Sequence, residues 1–208
     1  MSLIGGMPQS IHPTKTQLIS TTAELLETQF PEAIQVDEIL EKSGVSKGSL
    51  YHHFEDLGEL LEAAQVARYG AWVDRSIGLI VPVLSSAKTR DDILDGLRRI
   101  TTYTQSPDYK ATRYSRSRTI ANSETSERFQ RALGLEQNRL TSALQDLVEE
   151  AKNKGLFKPH LDARVVAVFI QSYTLGKIVD DIVPKPMEQE KWDEFILDML
   201  VNTMVIAE

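Results

Sequence analysis

The 208-residue sequence contains no cysteine. That excludes disulfides, zinc knuckles and cysteine nucleophiles, and it fits a reducing compartment. No apolar run approaches the roughly 18 residues of a membrane span, and the longest, around Ile77 to Leu84, is interrupted by Gly78 and Pro82. The opening MSLIGGMPQS lacks a basic n-region, and its apolar segment is too short for a signal peptide. Residues 1–13 read as a flexible arm or a cloning remnant. The expected setting is cytoplasmic, with no membrane contact. Positive charge is scarce as well, with a net charge of −7. Residues 1–60 carry three lysines (Lys15, Lys42, Lys47) against nine acids, a balance of −6 that leaves −1 for the remainder. Net charge of this sign argues against strong non-specific binding to nucleic acid. Convincing strands, repeats and low-complexity tracts are also missing.

What is present is helical periodicity from end to end, so the fold class is all-α with about nine helices. Leu18, Thr22, Leu25, Leu26 and Phe30 recur at spacings of three and four, and Pro31 closes that first helix. Val36, Ile39 and Leu40 mark a second helix ending at Gly44, a residue suited to the left-handed position after a helix. Ser46 caps a third over 46–53, and Asp56 caps a fourth whose apolar face is Leu57, Leu60, Leu61 and Ala64. The fourth runs to about Ile80, where Pro82 ends or kinks it. Thr89 and Asp92 have capping-box spacing ahead of Ile93, Leu94, Leu97 and Ile100. QSPD at 105–108 is a turn, a helix covers 109–120, and Ser123 opens a long helix that Gly155 stops. Asp162 caps a very apolar helix to Val183, PKP at 184–186 breaks it, and a last helix covers about 188–205.

The stretch GVSKGSLYHHF, residues 44–54, concentrates hydrogen-bonding side chains on a helix barely two turns long. Helix, tight turn, helix is the geometry of a helix-turn-helix, whose second helix enters the major groove. Ile39 and Leu40 are placed to pack on Leu50 and Phe54, with Val45 plugging the turn. That leaves Lys47, Gly48, Ser49, Tyr51 and His52 facing outward. Lysine suits guanine edges or phosphate, hydroxyls suit either, and tyrosine suits phosphate or a thymine methyl. Gly48 lets a backbone approach closely. His52 and His53 do not make a metal site, because adjacent helical residues point about 100° apart and no other ligand lies nearby in sequence. No metal and no cofactor is expected.

VDEILEKSGVSKGSLYHHF at 36–54 resembles the DNA-binding segment of TetR-family transcriptional regulators, and LISTTAELLETQF sits where that family's first helix sits. KNKGLFKPHLD followed by an apolar helix resembles the approach to the family's dimerisation helices. The resemblance implies a three-helix DNA-binding domain at 14–58 and a ligand-binding and dimerisation domain at 59–208. It implies a homodimer through residues 163–206, and release from double-stranded operator DNA when a small-molecule effector binds. It places DNA contacts at Gln35, Lys42, Ser46, Lys47, Gly48, Ser49, Tyr51, His52 and His53. Three departures stand out. Gln35 replaces the family's usual threonine or serine, Leu57 sits where a lysine often grips phosphate, and Asp37 and Glu38 add negative charge. These weaken DNA binding or move phosphate contacts to Lys15, Lys42 and His53.

Tyr69, Trp72, Tyr103, Tyr109, Tyr114, Phe129, Phe169 and Tyr173 read as core packing, some of them lining an effector pocket with polar tips. Arg113 and Arg116 share a helical face. They pair with acids of the first or fourth helix, or they recognise a carboxylate or phosphate on the effector. The expected dimer face draws on Val165, Val166, Phe169, Ile170, Leu175, Ile178, Trp192, Phe195, Leu200 and Met204. The leading reading is a repressor. Two alternatives are a TetR-like protein with weakened or lost DNA binding that acts as a ligand-binding protein, and an all-α enzyme. The enzyme lacks sequence support, since no nucleophile–base pair, metal cluster or phosphate loop is evident.

Overall fold

The computed structural model describes residues 12–207. The expected arm at 1–13 lies outside them except for His12 and Pro13. Among the described residues there are nine helices of seven residues or more and one single-turn helix, with no strand. None of these helices is long and apolar enough to cross a membrane. By packing, the chain divides into two compact units, with the division between Arg68 and Tyr69.

The first unit contains α1 (Pro13–Leu25), α2 (Val36–Ser43), α3 (Lys47–His53) and the first turns of α4 (Leu57–Ser85). Leu18, Leu25, Ile34, Ile39, Leu50, Phe54, Leu60 and Ala64 are its buried core. Leu60 and Ala64 belong to α4 but are fully buried here, which is why the division falls inside that helix. The start of α4 is fixed by Asp56, whose carboxylate accepts from the Glu59 amide at 2.7 Å. α1 is shorter than its apolar spacing predicts. It ends at Leu25, where the amides of Glu27 and Gln29 fold back onto the carbonyls of Glu24 and Leu25. Phe30 is left exposed, and Pro31 opens a 3₁₀ turn, Pro31–Ala33, instead of closing the first helix.

The second unit contains the rest of α4, α5 (Arg90–Gln105), α6 (Lys110–Asn122), α7 (Glu127–Asn153), α8 (Ala163–Gly176), α9 (Ile178–Asp181) and α10 (Gln189–Met204). α7 packs along α8, and α10 along α5. Ile93, Leu97, Val148, Phe157, Val166, Ile196 and Leu200 form the centre of the core. The capping box at Thr89 and Asp92 is formed in both directions. Pro82 does not end α4, which continues to Ser85. The carbonyl that loses its partner to the proline ring is that of Gly78, and Gly78 lies at the exposed surface of the helix. α7 begins one turn later than expected. Ser126 caps it, accepting from the Phe129 amide, and Ser123 belongs to a 3₁₀ turn instead. The apolar helix predicted to reach Val183 breaks at Lys177, whose ammonium is buried against Asp180 at 2.5 Å.

The chain's last described residues are held by a single antiparallel bridge between Phe157 and Val205. The Lys158 amide donates to Met204 O at 2.8 Å, and the Ile206 amide to Leu156 O at 3.0 Å.

Candidate nucleic-acid interface and effector unit

The turn between α2 and α3 depends on one glycine. Gly44 has φ +66° and its amide donates to Leu40 O at 2.9 Å, an arrangement an L side chain would strain. Ser43 Oγ accepts from the Val45 amide at 3.3 Å, and Gln17 on α1 donates to Ser43 O at 2.6 Å. The turn is therefore fixed from both sides. Ser46 begins α3, its hydroxyl accepting from the Ser49 amide at 3.2 Å and donating to the Ser49 hydroxyl at 3.0 Å. Leu50 and Phe54 are buried beneath the helix.

This leaves Lys42, Ser46, Lys47, Gly48, Tyr51 and His52 exposed, with Ser49 and His53 half-buried. Tyr51 keeps 46% of its surface. A Cβ built on Gly48 would meet nothing within 4 Å, so nothing inside the chain requires glycine there. Gln35 occupies the capping position of α2, but its side chain makes no cap, donating instead to Ala33 O at 3.4 Å. Glu38 is engaged by Gln29 at 2.7 Å.

Sequence reasoning missed His12. Its ring lies 4.8 Å from that of His53, which in turn lies 5.1 Å from that of His52. Lys15 is close by, with Nζ 4.9 Å from the Phe54 ring centre. Desolvation lowers the pKa of His53 below the ordinary histidine value, and His12, His52 and Lys15 lower it further.

In the second unit only some of the effector candidates come together. Tyr69 and Trp72 meet edge to face at 5.2 Å, and Arg116 lies over the Trp72 ring with Cζ 3.9 Å from its centre. The Trp72 indole donates to Tyr109 OH at 2.9 Å. Tyr69 OH donates to Gln137, and Gln137 donates to Gln171. Burial raises the Tyr69 pKa, and the Arg116 charge opposes that rise. Tyr103 stands mostly exposed, its ring 5.3 Å from that of Tyr109. Tyr114 is half-buried, and Phe129 is buried. Phe169 and Tyr173 sit together on α8 at 5.6 Å.

Arg113 is fully buried, and its partner is not an acid of α1 or α4 but Asp181 on α9. Its Nε donates to Oδ2 at 2.5 Å and NH2 to Oδ1 at 2.8 Å, while Thr104 O and Ser106 O take the remaining bonds at 3.1 and 3.2 Å. Its charge is therefore matched inside the fold. A surface cleft of the same unit, lined by Val83, Asp92, Asp95 and Arg98, contains none of the aromatic candidates.

Residues 18–64 match the model described as bacterial regulatory proteins, tetR family. A sequence comparison with characterised proteins gives no match. Solved structures are similar over nearly the whole chain. One is a candidate TetR-family transcriptional regulator of Mesorhizobium loti MAFF303099, at 15% identity and TM-score 0.70, covering 93% of this chain and 97% of that one. Another is a transcriptional regulator, TetR family, of Cytophaga hutchinsonii, at 13% identity and TM-score 0.66, covering 96% and 100%. A third is E. coli NemR in its reduced form, at 19% identity and TM-score 0.62, covering 94% and 99%. At these identities the likeness is one of fold.

Proposed function

The chain carries a TetR-family DNA-binding segment at residues 18–64 within a fold of that family, and from that premise we propose that it is a repressor released from its operator by a small-molecule effector. One observation carries the DNA half of the reading. α3 turns Lys47, Gly48, Tyr51 and His52 to solvent on a helix locked by Gly44 and Ser46, with Leu50 buried behind it. The side chains free to act are those that read base edges and grip phosphate. Lys42 and His53 flank them as phosphate contacts. Ser46 and Ser49 are engaged with each other, so in this reading they shape the helix start and meet the backbone of the DNA through one shared hydroxyl pair.

Two such helices are needed to span successive major grooves about 34–36 Å apart, so the working unit is a homodimer. Its interface is assigned to residues 163–206, where Val165, Val168 and Phe169 on α8 and Phe195 on α10 are exposed. Val166, Leu200 and Met204, expected on that face, fill the chain's own core instead. α4 is the covalent path from α3 to the aromatic group at Tyr69 and Trp72, and through it effector and operator are coupled. A coupling of about 1–3 kcal/mol corresponds to about 5–150-fold in affinity and acts equally in both directions.

The test is a gel shift with the DNA upstream of the protein's own gene. A complex that weakens steeply with salt is the expected result. Absence of any complex at low salt favours the alternative, a ligand-binding protein of this fold that has lost DNA binding.

A further inference from the structure

α6 carries two buried arginines, one turn apart, and the fold treats them differently. Arg113 is matched by Asp181 and two backbone carbonyls, as described above. Arg116 is 5% exposed and lies among the candidate effector residues, yet no carboxylate among the described residues pairs with it, and no protein group accepts from its Nε. Its company is the face of Trp72 and the phenol of Tyr69. Two acids inside α4 and α7, Asp74 and Glu136, are both held by Arg139.

A cation–π contact contributes on the order of 2 kcal/mol when desolvated. The effective cost of burying an ion is several kcal/mol and is offset only by a well-placed opposite charge with its hydrogen bonds. The arrangement at Arg113 shows what this fold does when a guanidinium is meant to be neutral within the chain. At Arg116 the neutralising group is missing and the buried Nε–H has no acceptor, and a guanidinium edge of this kind is what receives a carboxylate through charge-assisted hydrogen bonds.

We propose that Arg116 is the anion receptor of the effector site, and that the effector is an organic carboxylate with an apolar body. This rests on the ligand-responsive reading given above. The carboxylate docks on the Nε edge of Arg116, whose plane Trp72 holds against rotation. The Tyr69–Gln137–Gln171 chain offers polar groups that reorient as it arrives. The apolar body lies against the aromatic rings of Tyr69, Trp72 and Tyr109. The indole stacks on the guanidinium face and not on its Nε edge, so it orients the receptor without competing for the anion.

The experiment uses the full chain without DNA. Sodium benzoate and sodium octanoate are titrated against their neutral counterparts benzamide and octanamide, read by thermal unfolding and by tryptophan emission, since Trp72 lies under the receptor. In the wild-type protein at least one carboxylate raises the unfolding midpoint and changes the emission, and its amide does neither. In Arg116→Met, affinity for that carboxylate falls at least about tenfold, the loss of one charge-assisted contact, and Arg116→Lys is intermediate. Without ligand, Arg116→Met melts at or above the wild-type midpoint, because an uncompensated charge has been removed. The proposal is overturned if no carboxylate in the set acts, if the amides act equally, if Arg116→Met keeps the wild-type response, or if it melts well below wild type. Failure of the operator reading is seen separately, as absence of a gel shift in the untreated wild-type protein.

Discussion

Arg113 of α6 and Asp181 of α9, 68 residues apart in sequence, face each other as a two-pronged ion pair shut away from solvent. Two charges at that depth stabilise the fold only as a pair, and removing one partner typically costs about 3–5 kcal/mol because the other is stranded. Asp181→Ala is therefore expected to lower unfolding stability by about that amount, read from the midpoint in urea. The double variant Asp181→Ala with Arg113→Met recovers most of the loss, since no charge is then left buried. A single variant within about 0.5 kcal/mol of wild type, the usual range of a neutral surface change, rules out the pair as a structural tie.

On α3, Tyr51→Ala and Lys47→Ala are expected to weaken operator binding by about 1–3 kcal/mol where the side chain makes a good base contact. If Lys47 touches only phosphate, its loss weakens all sequences alike and flattens the salt dependence by about one unit. Gly48→Ala separates fold from function in the opposite way. The added methyl meets nothing within the chain, and alanine favours a helix over glycine by roughly 0.5–1 kcal/mol. The variant unfolds at the same or higher denaturant yet binds operator less well. Undiminished binding in all three variants removes the recognition-helix assignment.

In the proposed reading, operator binding is expected to depend on pH through His53. Its folded-state pKa is lowered by desolvation first and by His12, His52 and Lys15 after that, so the free protein favours the neutral ring. A nearby phosphate favours the charged ring and raises the value in the complex. Binding thus takes up a proton, and operator affinity increases as pH falls from about 8 toward 6, the range in which histidine titrates. Stability runs the other way. A histidine with a depressed folded value gives its full contribution above the unfolded value of 6.5 and loses it as pH falls through the folded value. Gel shifts and unfolding curves at matched pH carry opposite slopes, and His53→Gln flattens both.

The exposed apolar residues of α8 and α10 lead to an oligomerisation test. Val165 is 65% exposed and Phe195 62%. Light scattering at micromolar concentration is expected to give two chains per particle, an obligate pair of the kind built on a four-helix interface. Val165→Glu with Phe195→Glu gives one chain per particle and no operator complex. A wild-type monomer under those conditions overturns the assigned interface.

The local features were legible where the physics is local. Gly44 in the left-handed region, the Ser46 cap and the Thr89–Asp92 box each involve groups within four residues, and all are formed where the sequence placed them. Periodicity marked Leu50, Phe54, Leu60 and Ala64 as core. The failures lie where apolar spacing is silent, on polar contacts and on which of two apolar faces turns inward. No spacing rule connects Arg113 to Asp181. The apolar pattern runs unbroken across Gly176, so the stop at Lys177, settled by a buried ammonium–carboxylate contact, left no trace in it. Pro82 was expected to end or kink α4, and the helix does not end there but continues to Ser85. Apolar type alone did not say which of Val165 and Val166 faces the core, because on so apolar a helix both faces look alike.

The bridge between Phe157 and Val205, 48 positions apart, joins the two ends of a segment holding α8, α9 and α10. It closes that segment into a loop, so α8, α9 and α10 are tied together at both ends. Two backbone bonds at Lys158 and Ile206 act as the clasp, and the Arg90 side chain on Ile206 O at 3.3 Å bolts the clasp to α5. Loss of the backbone bonds around Val205 would open the loop, and its effect would reach all three helices the loop holds.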